Sequence, residues 1–375
     1  MRGHVHKRGN RWAYVVDIGR HPTTGARRQR TKTGFATRRE AEEALARVIA
    51  GIDPLVVVGA MTLGEFCRQW LDGHCPTVKA TTAKGYRERL EWYVLPRLGH
   101  VKLRDLSPLH IQTLWTDLLA NGRTRGGLSA VSIGGVRRVL RKVLNDAVAW
   151  ELIDRNPVLR VKAPRIESNE MHTWSAHDAR RFLDRTADDR LHALWVLAIT
   201  TGMRRGELAG LRWIDIDLDA GLIALRNTRV AVQHAVHEYE PKSRTSRRSI
   251  AIDALVVAVV RSHRRRQLEE RLAWGAAYHD TGYVFTNEDG QALHPNRITL
   301  IFRRLREDLA LPAVRLHDLR HTSASLMLTA GVHPKVVSER LGHSSIAITL
   351  DLYSHVIPGM QADAADKLGA MMLGQ

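Results

Sequence analysis

The length of 375 residues exceeds what one compact core of ordinary size needs, so two or three domains are expected. No apolar run of about 18 residues could span a bilayer, and the basic first residues lack the apolar segment of a signal peptide; we therefore expect a cytoplasmic protein with no membrane partner. Two cysteines cannot form a disulfide framework or a CxxC zinc knuckle. The net charge of +18 and the pI near 10.6 favour a polyanionic partner, and nucleic acid fits best.

The first segment, residues 1–51, combines positive charge with strand and helix signals. It carries twelve basic and four acidic residues, a formal charge of +8. Apolar residues alternate from Trp12 to Ile18, and a turn-like HPTTG leads into a second extended stretch, ARRQRTKTGF, which together predict a small sheet. Thr37 and Glu40 form a capping box ahead of EAEEALARVIA. We predict a small β-sheet-plus-helix domain whose charge suits DNA phosphates.

The second segment, residues 61–165, predicts an all-α domain after the linker IDPLVVVGA. Thr62 and Glu65 form a capping box, and Ser107 with the following proline starts a second helix, SPLHIQTLWTDLLANG. Two further stretches, TAKGYRERLEWYV and SAVSIGGVRRVLRKVLNDAVAW, have helical spacing. Their basic residues are typical of a face laid against phosphates: Arg87, Arg89, Arg137, Arg138, Arg141 and Lys142.

The third segment, residues 172–375, follows a polar, proline-containing linker and predicts a mixed, mainly α domain. Ser175 and Asp178 cap a helix, and LHALWVLAITTG is a buried helix that ends in Gly202. The stretches GLIALRN, HEYEPKSRTSRRSIAI and YVFTN predict strands among helices. The three segments together predict a multidomain α+β fold.

Five separated clusters in the third segment carry side chains suited to phosphate chemistry. They are Arg204 in TGMRRGELAGLRW, Lys242 in PKSRTSRRSIAI, His317 with Arg320 in LHDLRHTSASL, His343 in LGHSS and, ten residues further on, Tyr353. Each cluster alone is weak, because a tyrosine near a helix end is usually a packing residue. The order and spacing of all five carry more information than any one of them.

These motifs resemble the catalytic domain of the tyrosine recombinase family, the integrases of phages and integrative elements, over residues 172–357. The family's six catalytic positions match Arg204, Lys242, His317, Arg320, His343 and Tyr353. Arg244, Arg247 and Arg248 lie close to the lysine in sequence. The resemblance also implies that residues 61–165 are a core-binding domain and that residues 1–51 are an arm-type DNA-binding domain.

The chemistry implied by this resemblance is DNA strand cleavage and rejoining without metal, ATP or another cofactor. Arg204 and Arg320 would bind the nonbridging oxygens of a phosphodiester, since fixed cations are needed to offset the charge that repels a nucleophile. His317 and His343 would add hydrogen bonds or move a proton. Glu207 is expected to orient Arg204 rather than to react.

Tyr353 would then attack phosphorus, form a 3′-phosphotyrosine and release a 5′-hydroxyl, with Lys242 as the proton donor to the departing oxygen. The covalent link would conserve the bond energy for rejoining to a new strand. The implied partners are double-stranded DNA at core and arm sites, further copies of the chain in a tetramer on DNA, and an accessory DNA-bending protein.

Three alternatives compete with the recombinase interpretation: a zinc site, a type IB topoisomerase and a non-catalytic DNA-binding regulator. The spacing of His317 and His321 in HDLRH imitates a zinc motif, but the intervening acid is Asp318, Arg320 would put a cation beside the metal, and no third ligand is evident, so no metal is expected. A type IB topoisomerase would use much the same chemistry but needs no arm-type domain. A non-catalytic DNA-binding regulator would explain the charge but not the six matched positions.

Overall fold

The computed structural model divides the chain into two compact units, Met1–Ser168 and Asn169–Gln375. The described residues are 3–20, 27–49, 61–123, 126–165, 172–233, 235–240, 248–343, 345–353 and 360–374. The expected HPTTG turn, the linker after residue 51 and Lys242 lie outside these residues. Among the described helices, none is long and apolar enough to cross a membrane.

The first unit begins with a three-stranded antiparallel sheet in the order β1-β2-β3, followed by one helix. The elements are β1 (Gly3–Arg8), β2 (Arg11–Arg20), β3 (Arg27–Phe35) and α1 (Arg38–Ile49). Tyr14 and Val16 of β2 pack on Leu45 of α1, which closes a small core. The capping box is present, since the Glu40 N–H donates to Thr37 Oγ1 at 3.2 Å. The expected sheet and helix are confirmed, with β1 as an additional strand.

The remainder of the first unit is helical and has its own hydrophobic core, centred on Trp70 and Trp115. Its helices are α2 (Leu63–His74), α3 (Ala80–Arg89), α4 (Leu95–Leu98), α5 (Pro108–Asn121) and α6 (Ala130–Ala149). Both expected caps form, at Thr62 and at Ser107. A π-helical turn, Leu90–Val94, separates α3 from α4, just before a proline that cannot donate the next helical hydrogen bond.

The second unit is mainly helical, with two small antiparallel sheets. Its helices are α7 (Ala176–Arg185), α8 (His192–Thr201), α9 (Arg205–Ala209), α10 (Ala254–Trp274), α11 (Pro295–Asp308), α12 (Asp318–Thr329), α13 (Pro334–Leu341), α14 (Ile346–Tyr353) and α15 (Met360–Leu373). Its strands are β4 (Ile216–Asp217), β5 (Leu222–Ala224), β6 (Thr228–Val232), β7 (Ala235–Tyr239) and β8 (Ser249–Ala251). The sheets have the orders β4-β5-β8 and β6-β7.

Helix α8 lies at the centre of this unit, as its apolar sequence predicts. Almost all of its residues are buried, and it packs against both α10 and α12. A helix without a polar face must be covered on all sides, and this places its C-terminal end, at Gly202, inside the unit. The capping box of α7, from Ser175 to Asp178, also forms as predicted.

The strand predicted for YVFTN is wrong. This segment, which the structure describes in full, makes isolated bridges between Tyr283 and Arg212 and between Thr286 and Ala292. Its apolar residues are explained by burial in the core of the unit rather than by a continuous strand ladder. Conversely, β6 forms where no strand was expected, because β7 is available as its partner in a hairpin.

Candidate active site

Two helices of the second unit end in left-handed glycines, and these ends form the framework of the site. Helix α8 stops at Gly202, with a φ of 63°, and α13 stops at Gly342, with a φ of 67°. At Gly202 a side chain would also collide, because a Cβ there would lie 2.4 Å from Leu341 Cδ2. Each helix therefore ends in carbonyl oxygens that are not used in helical hydrogen bonds, at the negative end of its dipole.

Arg320, on α12, lies between these two helix ends and is only 4% exposed. Its Nη1 donates to the Gly202 carbonyl oxygen at 2.9 Å, and its Nη2 donates to the Leu341 carbonyl oxygen. The guanidinium plane is thus held by backbone from two separate helices. A buried cation in such surroundings is stabilised by the carbonyl dipoles that contact it.

Arg204 is the extended N-cap residue of α9, directly after the α8 turn. Its backbone N–H donates to Glu207 Oε2 at 2.8 Å, and its Nη1 donates to Glu207 Oε1 at 2.9 Å. Its Nη2 donates to the Gly342 carbonyl oxygen at 3.3 Å. With 38% of its side chain exposed, Arg204 presents an oriented cation to solvent, in contrast to Arg320.

Glu207 is a buried carboxylate shared by two arginines. Besides Arg204 it accepts from both terminal nitrogens of Arg248, each at 3.2 Å. Burial raises the pKa of Glu207, but the charge and hydrogen bonds of Arg248, together with the Arg204 N–H and charge, outweigh burial and lower the pKa below its usual value. Glu207 is therefore ionised at neutral pH, as a positioning group must be.

His343 follows Gly342, and α14 begins three residues after it. Its Nδ1 lies 2.8 Å from Oγ1 of Thr349, a fully buried residue of that helix. Burial, and then the positive charges of Arg320 and Arg204, lower the pKa of His343 to about 4. The imidazole is thus neutral at neutral pH and held in a fixed orientation.

His317 occupies the N-cap position of α12, three residues before Arg320, but its side chain makes no capping hydrogen bond. It keeps an exposed surface, yet the protein packed around the rest of the ring, together with the charges of Arg320 and Arg204, lowers its pKa. Its ring lies edge-on to His321, with 5.4 Å between centroids. Asp318 pairs instead with Arg315 at 2.9 Å, and within the described part of the chain no group of residues could hold a metal ion.

The structure brings Arg204, Arg320 and His343 together at one corner of the chain, Leu341–Gly342–His343. The first two residues of this corner bind the two arginines through their carbonyl oxygens, and the third is the histidine itself. Helix α14, which ends at Tyr353, is tied to the corner through Thr349. The side chain of Tyr353 and the whole of Lys242 lie outside what the structure describes.

Two residues of this site were not identified from the sequence as members of it, Arg248 and Thr349. Arg248 stands in a basic run in which several arginines are equivalent by sequence alone. In the structure its side chain is buried and contacts Glu207. Thr349 gave no local signal, since an isolated threonine in an apolar helix is unremarkable in sequence.

Comparison with known proteins agrees with this architecture. Residues 165–359 match the model of the phage integrase family, residues 4–52 that of an arm DNA-binding domain, and residues 62–119 that of the N-terminal SAM-like domain of phage integrases. A XerC-like tyrosine recombinase from Caldanaerobacter subterraneus subsp. tengcongensis is 29% identical over 360 residues, which cover 90% of each chain.

Two solved structures show the same fold. The Tn1549 transposon integrase in complex with a circular intermediate DNA has a TM-score of 0.69 at 20% identity, over 82% of this chain and 99% of that one. The lambda integrase tetramer bound to a Holliday junction has a TM-score of 0.57 at 18% identity, over 91% of this chain and 95% of that one. The family model alone covers more than half of the chain. The protein therefore belongs to the phage integrase family of tyrosine-type site-specific recombinases.

Proposed function

We propose that this recombinase cuts and rejoins double-stranded DNA through a 3′-phosphotyrosine link to Tyr353, and so integrates or excises a mobile element. The observation that carries the proposal is the corner at residues 341–343. Two arginines that are remote in sequence, Arg204 and Arg320, bind its carbonyl oxygens, and His343 belongs to it. The helix that ends at Tyr353 begins three residues later.

In this mechanism the two guanidinium groups bind the nonbridging oxygens of the scissile phosphate. A phosphodiester resists attack because of its negative charge, and fixed donors that meet the charge of the pentacoordinate transition state lower the barrier. Their preorganisation matters, since the carbonyl contacts of Arg320 and the Glu207 contact of Arg204 are already made without DNA. Neutral His343 and His317 supply further hydrogen bonds to the same oxygens or help to move a proton.

Tyr353 supplies the nucleophile. Its hydroxyl oxygen forms a bond to phosphorus as the bond to the 5′ oxygen breaks, and the phenolic proton is passed to a base. Lys242 donates a proton to the departing 5′ oxygen, which leaves as a hydroxyl. The phosphate stays esterified to Tyr353, so a 5′-hydroxyl from a new strand can reverse the step without ATP, metal or another cofactor.

The remaining parts of the chain are assigned to binding and assembly. Residues 61–165 serve as the core-binding domain, with exposed Arg87, Arg138 and Arg141 available for phosphates. Residues 1–51 bind separate arm sites, which is supported by their charge of +8. The catalytic domain and tail occupy residues 172–375.

Recombination exchanges strands between two duplexes and needs four cleavages, so we infer a tetramer assembled on DNA. The lambda integrase, which has the same fold, is a tetramer on a Holliday junction in its solved complex. An accessory DNA-bending protein would help to bring arm and core sites together when a single chain occupies both.

The test is to trap the covalent adduct on a nicked duplex selected from random sequences for tight binding by the protein. The nick is placed a few nucleotides 3′ of the scissile phosphate, so the short fragment that carries the new 5′-hydroxyl dissociates after cleavage. Rejoining is then prevented, and a covalent protein–DNA band should accumulate. Tyr353→Phe should bind DNA with unchanged affinity but give no adduct, because the substitution removes only the nucleophilic oxygen. Tyr278→Phe, which removes a hydroxyl elsewhere in the same unit, is the matched control and should form the adduct normally.

A normal adduct from Tyr353→Phe would refute the assignment of the nucleophile. Supercoil relaxation without any exchange between two labelled duplexes would instead identify a type IB topoisomerase activity. Tight DNA binding with no adduct from the unsubstituted protein would identify a DNA-binding regulator.

A further inference from the structure

Arg248 is a buried cation that the proposed chemistry does not use directly. It is the residue that immediately precedes β8, its carbonyl oxygen accepts from the Leu225 N–H at 2.9 Å, and its side chain is only 7% exposed. Its Nε donates to the Arg340 carbonyl oxygen at 2.6 Å, at the end of α13. Arg248 is therefore anchored both to the small sheet and to the helix that leads into the corner.

The contacts of Glu207 divide evenly between two arginines. Oε1 accepts from Nη1 of Arg204 at 2.9 Å and from Nη1 of Arg248 at 3.2 Å. Oε2 accepts from the backbone N–H of Arg204 at 2.8 Å and from Nη2 of Arg248 at 3.2 Å. Arg248 thus makes the two-pronged side-chain contact, while Arg204 makes a single side-chain contact.

The contact of Glu207 with Arg248 affects the position of Arg204, whose side chain is partly exposed. A buried carboxylate with one cationic partner is stabilised by drawing that partner into a two-pronged pair, or else it takes up a proton. Either change would alter the orientation of the Arg204 guanidinium. With Arg248 in place, the charge of Glu207 is met from the interior, and Arg204 keeps its partly exposed position between Glu207 and the Gly342 carbonyl oxygen.

We propose that Arg248 is a positioning residue that acts through Glu207 to hold Arg204 in the orientation that binds the scissile phosphate. The inference rests on the proposed function, in which Arg204 contacts a nonbridging oxygen. In this arrangement Arg248 acts through the carboxylate, because both of its terminal nitrogens donate to Glu207 and its Nε donates to the Arg340 carbonyl oxygen.

The experiment is a double-mutant cycle of Arg248→Met and Glu207→Gln in the full chain. Cleavage is measured as single-turnover adduct formation on the nicked duplex, and DNA affinity is measured separately. Each single variant should cleave at least about tenfold more slowly, as expected when a transition-state donor is misplaced. DNA affinity should stay within about threefold, because nonspecific and specific contacts elsewhere are intact. The double variant should be no slower than the slower single variant by more than about threefold, since both substitutions break one pathway.

A second substrate separates positioning from simple loss of stability. In this duplex a methyl group replaces one nonbridging oxygen of the scissile phosphate, which removes the negative charge that Arg204 is there to meet. The deficit of Arg248→Met relative to the unsubstituted protein should shrink by at least about tenfold on this substrate, because the lost donor is no longer needed. General destabilisation would slow both substrates equally.

Arg190→Met is the matched control. Arg190 makes a similar two-pronged pair with Glu270, at 2.5 and 2.6 Å, in the same unit, and its remaining terminal nitrogen donates to the Thr286 carbonyl oxygen rather than to the corner. This variant should lower the melting temperature while cleaving both substrates at the unsubstituted rates. If Arg248→Met does not fold, Arg248→Lys replaces it in the cycle. Lysine keeps the buried charge but cannot make the two-pronged contact with Glu207.

The positioning role of Arg248 would be overturned if the rate losses of the two single variants multiplied in the double variant. It would also be overturned if Arg248→Met lost the same factor in cleavage rate on both substrates. Absence of an adduct from the unsubstituted protein would instead overturn the proposed function. Adduct formation by the unsubstituted protein therefore distinguishes the two failures.

Discussion

Arg204 and Arg320 are assigned the same chemistry but have opposite surroundings, so substituting each with alanine should give equal losses of activity and unequal losses of stability. Arg320 is 4% exposed and donates to the carbonyl oxygens of Gly202 and Leu341, both of which are buried residues. Arg204 has 38% of its side chain exposed, and its partner Glu207 keeps a second arginine when Arg204 is removed.

The magnitudes follow from these contacts. A buried acceptor that loses its donor costs about 1–3 kcal/mol, so Arg320→Ala, which strands two, should lower the free energy of unfolding by about 2–6 kcal/mol. At about 2–4 °C per kcal/mol for a unit of this size, the melting temperature should fall by at least about 4 °C. Arg204→Ala removes one partly exposed ion pair and one long hydrogen bond, at 3.3 Å, to the Gly342 carbonyl oxygen, while Glu207 keeps Arg248, so it should cost less, about 1–2 kcal/mol. Each variant should slow cleavage at least about a hundredfold, the scale of losing one transition-state donor.

The assay pairs calorimetric melting with single-turnover adduct formation on the nicked duplex, for both variants and the unsubstituted protein. Unfolding is followed for the isolated protein without DNA, since bound DNA would mask the difference. Equal melting temperatures for the two variants would refute the claim that the carbonyl corner is held by Arg320. A cleavage loss under about threefold for either variant would show that the transition-state cation is elsewhere.

Three further predictions concern other parts of the site and chain. Lys242→Ala should cleave ordinary DNA slowly but recover on a substrate with sulfur at the bridging 5′ position, because a thiol has a pKa of only about 8.5 and its thiolate leaves without a proton. Arg204→Ala should not recover on that substrate. If sulfur does not rescue Lys242→Ala, the lysine is a phosphate clamp rather than the proton donor. In the folded protein, burial and the neighbouring arginines lower the pKa of His343 to about 4. At pH values between the ordinary histidine pKa and about 4, His343 is therefore protonated in the unfolded chain but neutral in the folded one. Stability should therefore decline as pH falls through this window, and His343→Gln should show a shallower decline in urea titrations at several pH values; an unchanged slope would exclude His343 as a source. Deletion of residues 1–51 should retain cleavage of a short core duplex while abolishing integration of a full site, and loss of short-core cleavage would assign the segment to the catalytic clamp.

The amino-acid sequence by itself determined the local structures whose partners lie within one turn of helix. The capping boxes at Thr37, Thr62 and Ser175 and the glycine stop at Gly202 form as predicted, because the hydrogen bonds that make them join residues three or four apart. The three-part organisation and the six candidate catalytic positions also follow from charge, motif order and resemblance. A strand is less local, since its stability depends on a partner, which explains the error at YVFTN and the unexpected β6.

Only the tertiary structure decided which cations meet and what holds them. The bond from Arg320 to the Gly202 carbonyl oxygen spans 118 residues, and that from Arg204 to the Gly342 carbonyl oxygen spans 138. The contact of Arg248 with the buried Glu207 likewise depends on the packing of β8 against the end of α13. Such contacts leave no periodic or local signal in the sequence, because they are set by how helices and strands pack. A carbonyl oxygen accepts a hydrogen bond from a distant arginine only where a helix ends beside that arginine.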